Sequence, residues 1–455
     1  MIGALTQGTR RDFLRGMGST ALGLTAGWAR LGLANAQEQR KPNFVIIFCD
    51  DLGYGDLSCY GAKKIRTPNL DRMAEEGMHF NSFYACAPVC TPSRAGLLTG
   101  RYPIRSGLTN VLFPNSQDGI DDTEITLAEA LKTCGYATAC IGKWHLGHQP
   151  SFLPTRHGFD YYFGIPYSND MDVPKRGDPP IPLMRNEAII EQPADQDTLT
   201  RRYTEEARRF IAEHKNEPFF LYLPHTMPHV PLHASPSFAG RSPGGLYGDV
   251  VEEIDWSVGE ILAELKQQGL DGNTLVIFTS DNGPWLSQRE NGGSAGKLRL
   301  GKGTTFEGGM REPCIMRWPV TIRAGSVYDG PAGTLDLFPT LVGLAGGSLP
   351  EGRVYDGCDI RPVLMEEGVR PAKEFYYFNG QELQACRHGR WKAKKPFKGN
   401  VYGEPLEHPW LLFDLERDPG ETTNLADRHP AILASLQMKM DQFRKDLGDV
   451  PKAKR

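Results

Sequence analysis

Cys90-Thr91-Pro92-Ser93-Arg94, continued as Ala95-Gly96-Leu97-Leu98-Thr99-Gly100-Arg101, is the stretch around which the rest of the chain is organised. Pro92 fixes its own φ and suits the first turn of a helix. The spacing predicts a short helix over 93–99, stopped by Gly100. Cys90 then lies where a loop enters that helix, near the positive end of its dipole, with Arg94 one turn further on. A thiol in such a place is expected to be acidic and reactive. Taken alone, the cysteine also fits a small buried side chain ahead of an ordinary helix.

Moving outward, several apolar runs end in polar clusters. Residues 44–48 read as a buried parallel strand, followed by Cys49-Asp50-Asp51. Residues 275–279 repeat the pattern, followed by Ser280-Asp281-Asn282-Gly283. One Asp-Asp pair also suits a solvated acidic turn. Two such ends together place three carboxylates and an amide oxygen beyond the carboxyl ends of strands, where open α/β sheets build their sites. These are hard ligands that suit Ca²⁺ or Mg²⁺ rather than zinc. Repulsion among the carboxylates also calls for a cation. A strand over 137–141 delivers Gly142-Lys143-Trp144-His145-Leu146-Gly147, and one over 218–223 delivers a proline-stiffened loop with His225 and His229. A glycine-rich run, Gly301-Lys302-Gly303-Thr304-Thr305-Phe306-Glu307-Gly308-Gly309-Met310-Arg311, offers backbone N–H groups to an anion. Helices are expected over 67–78, 126–133, 200–214, 247–268 and 334–345, with a further strand over 314–318. Residues 171–197, rich in Pro and charge, read as a long substrate-specific loop. From about 372 the texture shifts to short strands over 375–378, 383–386, 391–394 and 411–415, closed by a helix over 430–447.

The Cys-x-Pro-Ser-Arg string with Ala-Gly-Leu-Leu-Thr-Gly-Arg resembles the activation motif of the type I sulfatases. In that family the cysteine is oxidised to formylglycine, whose hydrate attacks sulfur with one hydroxyl and expels sulfate through the other. The resemblance implies an α/β, alkaline-phosphatase-like fold, a large mixed sheet flanked by helices with a small C-terminal antiparallel sheet and one packed helix. It implies a catalytic domain over 43–371 and a smaller α+β domain over 372–455, after a signal segment over 1–36 that has its own motifs. By position, the implied metal ligands are Asp50, Asp51, Asp281 and Asn282, with the modified Cys90 beside them. Lys143 corresponds to a lysine on the sulfate, His145 to a histidine bonded to the hydrate, and Lys302 to a lysine bridging ester and leaving oxygens. His229 matches the sulfate-binding histidine proposed as the acid for the leaving group, and Ser168 falls where some members place a sulfate-contacting serine. Arg94 would position the hydrate and Asp281 would take the attacking hydroxyl's proton. His157, in Arg156-His157-Gly158-Phe159-Asp160, is expected to be structural.

The implied activity is hydrolysis of an aryl or carbohydrate sulfate with Ca²⁺ or Mg²⁺. Two rivals remain at this stage: a phosphodiesterase or phosphonate-ester hydrolase using the same formylglycine, and a non-catalytic sulfated-glycan-binding protein on the same fold. The chain has 455 residues, 40% of them hydrophobic and 23% charged, an ordinary globular composition. Arg10-Arg11-Asp12-Phe13-Leu14, a weakly apolar run and Ala34-Asn35-Ala36 resemble a bacterial twin-arginine export signal. Periplasmic or secreted location follows, with the twin-arginine machinery and a formylglycine-generating or sulfatase-maturating enzyme as partners. Arg30 interrupts the run, so no permanent membrane span is expected. The net charge of −4 would fall to near −7 on loss of the first 36 residues, and no basic face points to nucleic acid. Nine scattered cysteines without a CxxC pair indicate neither a zinc site nor a disulfide framework.

Overall fold

The run over 44–48 has no polar position because its strand is covered on both faces. In the computed structural model, which describes residues 40–455, strand β1 (Asn43–Cys49) sits inside a large mixed sheet. Phe44, Ile46 and Phe48 enter one apolar core, and Val45, Ile47 and Cys49 enter the other. The remaining strands of this sheet are β2 (Met78–Tyr84), β3 (Ala137–Ile141), β4 (Tyr161–Gly164), β5 (Leu183–Arg185) and β6 (Ala188–Glu191). They are followed by β7 (Phe219–Pro224), β8 (Thr274–Ser280), β9 (Arg311–Arg317), β10 (Ser326–Tyr328) and β11 (Ala332–Gly333). The order is β10-β2-β9-β8-β1-β7-β3-β4-β5-β6, with β11 also on β2. Strands β8, β1, β7, β3 and β4 run parallel, while β9 is antiparallel to both β8 and β2.

Helices cover both faces. Helices α1 (Pro68–Glu75), α4 (Leu199–Glu213) and α5 (Gly245–Gln267) bury Leu70, Met73, Tyr203, Val250, Ile254 and Val258 in the core of Val45. Helices α2 (Cys90–Thr99), α3 (Leu127–Thr133) and α7 (Leu337–Leu344) bury Leu97, Leu98, Leu131, Phe338 and Leu341 in the core of Phe44. Each fully buried large apolar side chain stabilises the fold by roughly 1.5–3 kcal/mol. Helix α3 starts at the Thr126–Glu129 capping box. Helix α1 has no side-chain cap from Thr67; instead Asp255 of α5 accepts the N–H groups of Asn69 and Leu70, at 3.2 and 2.8 Å.

Several elements differ from the sequence reading. The helix expected over 67–78 stops at Glu75, because Gly77 runs against the backbone of β9 and Met78 already pairs with Met316. The helix expected over 334–345 opens as a 3₁₀ turn, Thr334–Asp336, before α7. The helix expected over 93–99 begins at Cys90 itself and ends at Gly100 in the left-handed conformation. The long loop over 171–197 contains the β5–β6 hairpin, which extends the sheet through β4 because Leu183 and Met184 bury their side chains.

The C-terminal sheet has the order β12 (Phe375–Asn379), β13 (Glu382–His388), β14 (Trp391–Lys394), β17 (Leu411–Asp414), all antiparallel. Helix α9 (Pro430–Leu447) packs on it through Leu436, Met440 and Phe443, the last stacked on Tyr376 with ring centroids 3.9 Å apart. A separate hairpin, β15 (Phe397–Val401) and β16 (Glu404–His408), was not legible in sequence. Buried Lys392 of β14 donates to Glu307 at 2.9 Å and lies 2.9 Å from Glu421. Tyr377 of β12 donates to the same Glu307 at 3.2 Å, so this sheet grips the run that follows Lys302, while Tyr84 of β2 donates to Glu307 from the large sheet at 2.6 Å. The twin-arginine segment, 1–36, lies outside the described residues.

Candidate active site

The β1–β8 register places Cys49 opposite Ser280, so Asp50-Asp51 and Asp281-Asn282 leave the sheet side by side. The backbone ties them together: Asp281 N–H donates to the Cys49 carbonyl at 3.0 Å, and Asp51 N–H donates to Asp281 Oδ1 at 3.1 Å. Leu52 N–H donates to Ser280 Oγ at 3.0 Å. Asp51 holds φ at 64°, a left-handed value that a non-glycine residue keeps only when its surroundings enforce it. His145 is held likewise at 59°, in the turn leaving β3. That turn docks on its neighbours through Lys143 N–H to the Pro224 carbonyl at 2.7 Å and Trp144 N–H to the Ile165 carbonyl at 3.0 Å. Gly142 is required there: its φ is +136°, and a Cβ would stand 1.9 Å from the Pro224 oxygen.

The side chains that converge are buried, except that of Lys302, which is partly exposed. Arg94, with no exposed surface, donates to Asp281 Oδ2 from Nε at 3.1 Å and from Nη2 at 2.7 Å, and from Nη1 to the Lys143 carbonyl at 2.9 Å. Its Nη2 also lies 3.2 Å from Asp50. Lys143 donates to Asp50 Oδ2 and, at 2.9 Å, to Ser168 Oγ. Lys302 donates to Asp51 Oδ2 at 2.7 Å, with His229 Nε2 3.6 Å from the same oxygen. Asn282 Nδ2 donates to Asp51 Oδ1 at 2.7 Å. Ligand atoms, one each from Asp50, Asp51 and His229, lie within 4.8 Å of one another.

The three carboxylates thus face three cations, the buried Arg94 and Lys143 and the partly buried Lys302. Charge repulsion by itself therefore does not call for a metal, contrary to the expectation from sequence. The donor set does call for one. Asp50 Oδ1 and Asn282 Oδ1 are buried oxygens with no hydrogen-bond partner. Such orphans are costly unless something accepts their lone pairs. An oxygen-rich set of this kind fits a hard divalent cation.

The titration behaviour follows from burial and these pairs. Burial works to raise the Asp50 carboxyl, but Lys143 and Arg94 win and hold it far below the usual range. Burial and the adjacent Asp50 push Asp281 above the usual range against the pull of Arg94. Burial, then Lys143 and Arg94, hold His145 well below its ordinary value, and burial with Lys302 lowers His229. Cys90 corrects an expectation. Burial pushes its thiol up to about 11, so neither the helix terminus nor nearby Lys143 and Lys302 make it acidic. Arg94, expected to act on Cys90 from one turn away, spends its donors on Asp281, Asp50 and the Lys143 carbonyl.

His145 Nε2 bonds the Leu112 carbonyl at 2.9 Å, and its Nδ1 is a buried atom without a partner. His225 is buried against Ser257 Oγ at 3.2 Å. His157 bonds the Ser151 carbonyl at 3.2 Å and lies beside Trp144. Two contributors were missed in sequence. Trp285 lies just past Pro284, with the Lys302 ammonium 4.4 Å from its ring centroid. Tyr402, at the tip of the β15–β16 hairpin, donates its hydroxyl to the Lys302 carbonyl at 2.8 Å. Trp285 was reachable as the aromatic ending the Asp281 string. Tyr402 had no signal, being 100 positions from its partner.

Comparison with known proteins agrees with this architecture. The sulfatase family model matches residues 42–348, and the model for the C-terminal part of N-sulphoglucosamine sulphohydrolase matches 300–446. Bovine (Bos taurus) arylsulfatase A is 42% identical over 435 residues, covering 87% of this chain and 85% of the relative. Mouse (Mus musculus) N-acetylgalactosamine-6-sulfatase is 42% identical over 463 residues, covering 92% and 89%. A solved structure from a study of glycosaminoglycan metabolism by Bacteroides thetaiotaomicron superposes with a TM-score of 0.81 at 31% identity, covering 89% of this chain and 100% of that one. A strand order, a carboxylate-lined sheet end and relatives of this closeness over most of both chains leave one conclusion: the chain belongs to the sulfatase family, with its alkaline-phosphatase-like fold, and is a sulfuric ester hydrolase of the arylsulfatase-like kind.

Proposed function

We propose that the chain hydrolyses sulfate esters through a formylglycine made from Cys90, with one hard divalent cation, Ca²⁺ or Mg²⁺, held by Asp50, Asp51, Asp281 and Asn282. The observation that carries this reading is the convergence of Arg94, Lys143, Lys302 and His229 on those carboxylates, beside two orphaned buried oxygens. The cation would supply positive charge that polarises a sulfate oxygen. The formylglycine hydrate would supply a nucleophilic hydroxyl and a second one through which sulfate departs without water attacking sulfur.

The chain's own residues do the rest. Lys143, steadied by Ser168, and Lys302 bring preorganised positive charge to the sulfate oxygens. Arg94 fixes Asp281, which takes the proton of the attacking hydroxyl. His145 is anchored by the Leu112 carbonyl through Nε2, which leaves its unpartnered Nδ1 to bond the hydrate. His229 protonates the leaving oxygen. Names of relatives favour a sulfated sugar: one acts in name on N-acetylgalactosamine 6-sulfate, and a structural neighbour comes from glycosaminoglycan metabolism. Residues 1–36 would direct export through the twin-arginine machinery, with a formylglycine-generating or sulfatase-maturating enzyme acting on Cys90 and the mature enzyme in the periplasm or outside the cell. Among the described residues no helix is long and apolar enough to cross a membrane.

The test is the mass of the Cys90 peptide in active enzyme together with turnover on a panel of sulfated sugars and an aryl sulfate. The peptide should be lighter than the thiol form by about the mass of one water and should react with a hydrazide. An intact thiol in fully active enzyme would sink the proposal, as would faster turnover of an aryl phosphodiester than of every sulfate.

A further inference from the structure

Trp285 stands between two of the residues assigned to the leaving group. The Lys302 ammonium lies over its ring, 4.4 Å from the centroid, and the His229 ring packs on the same indole at 5.5 Å with planes 51° apart. On its other side the ammonium donates to Asp51 Oδ2 at 2.7 Å. The two backbones are stitched together, since Lys302 N–H donates to the Pro284 carbonyl at 2.9 Å. Lys302 therefore has a fixed root and a tip caught between a carboxylate and an aromatic face. Lysine otherwise carries a compact charge on a flexible four-carbon stem. Its side chain is 11% exposed. Trp285 is itself half-buried and lies outside the apolar cores of the fold.

We infer that Trp285 is a positioning residue: its π face holds the Lys302 ammonium in line with the leaving oxygen, and His229 on the same ring fixes the ring's orientation. The inference rests on the proposed role of Lys302. A group that only filled space would be replaced equally well by any apolar side chain of similar size. A π face would not, because the attraction of a cation to an aromatic ring needs the ring's quadrupole.

The experiment is a cycle with Trp285→Leu, Trp285→Phe, Lys302→Ala and the double variants, measuring kcat and KM on a sugar sulfate and on nitrophenyl sulfate. Formylglycine content and thermal melting are recorded for each variant. Trp285→Leu should lower kcat about ten-fold, the scale of a desolvated cation–π contact, with KM moved less than about three-fold. Trp285→Phe should recover most of that loss. In the Lys302→Ala background, Trp285→Leu should cost less than about two-fold, since its target is gone. An undiminished ten-fold loss in that background overturns the inference, and so do equal losses for Leu and Phe. Full kcat in Lys302→Ala alone would instead remove the proposed role of Lys302, and the inference with it. Should Trp285→Leu fold poorly, Trp285→Met, which also lacks a π face, takes its place in the cycle and is read by the same criteria.

Discussion

Gly301→Ala is a one-carbon change whose effect can be worked from the structure. A Cβ on Gly301 would stand 2.3 Å from the Pro284 carbonyl oxygen, with Leu286 Cγ at 3.1 Å and the Tyr402 hydroxyl at 3.3 Å behind it. Ordinary contact begins at 3.4 Å, so the 284 and 301 segments must separate by about 1 Å. The Pro284 carbonyl is also the acceptor for Lys302 N–H, so the displacement is passed directly to Lys302. A 1 Å misplacement of a catalytic group can cost about 10²-fold in rate, while overpacking costs about 1–3 kcal/mol of stability. The control is Gly303→Ala. Its Cβ would meet nothing within 4 Å, but its φ of +80° makes alanine strained by about 1–2 kcal/mol. We expect Gly301→Ala to lower kcat on nitrophenyl sulfate about 10²-fold per formylglycine, and Gly303→Ala to stay within about three-fold. Release of nitrophenol gives the rate directly. Wild-type kcat in Gly301→Ala, or an equal loss in Gly303→Ala, would refute the transmission argument.

Arg94→Met leaves Asp281 and Asp50 buried without their guanidinium, and breaking a buried pair in this way costs about 3–5 kcal/mol; denaturant unfolding in the presence of chelator should show that loss, and a change below about 0.5 kcal/mol would contradict the geometry. Burial lowers His225 from 6.5 to about 4, so the native state resists its protonation. The stability this contributes is present above pH 6.5 and is lost as the pH falls through 4, amounting to about 3 kcal/mol. His225→Gln should flatten the stability profile between those values, and an unchanged slope would assign the acid sensitivity to other groups. Chelation should abolish turnover, and added Ca²⁺ or Mg²⁺ should restore it without further treatment; activity that survives exhaustive chelation would leave the orphaned Asp50 and Asn282 oxygens unexplained.

Much of the architecture was legible because the local signals were unambiguous. An unbroken, β-branched apolar run such as 44–48 is the pattern of a short strand covered on both faces, and its polar terminus marks the sheet end where sites form. Strand β3 and helix α9 were bounded by Gly and Pro at the expected positions. Elements that owe their conformation to distant partners were misread. Met78 looked helical until β9 and β10 paired with β2, and the β5–β6 hairpin lies in a segment whose composition reads as loop. The site residues were legible as strings, through their resemblance to a family, rather than through any spacing rule that would link Asp50 to Asp281 or Lys302.

Sequence by itself determined the sulfatase family, the strand ends that carry the carboxylates, and the identity of the cations that meet them. Only the tertiary structure decided which charges pair. It gave Arg94 to Asp281 and Asp50 instead of Cys90, kept the Cys90 thiol high through burial, and balanced three carboxylates with three cations so that orphaned oxygens, not repulsion, argue for a metal. It also brought Trp285 and Tyr402 onto Lys302. The physical reason is that pairing and desolvation depend on distances between segments far apart in the chain, and a linear pattern of residue types contains no such distances.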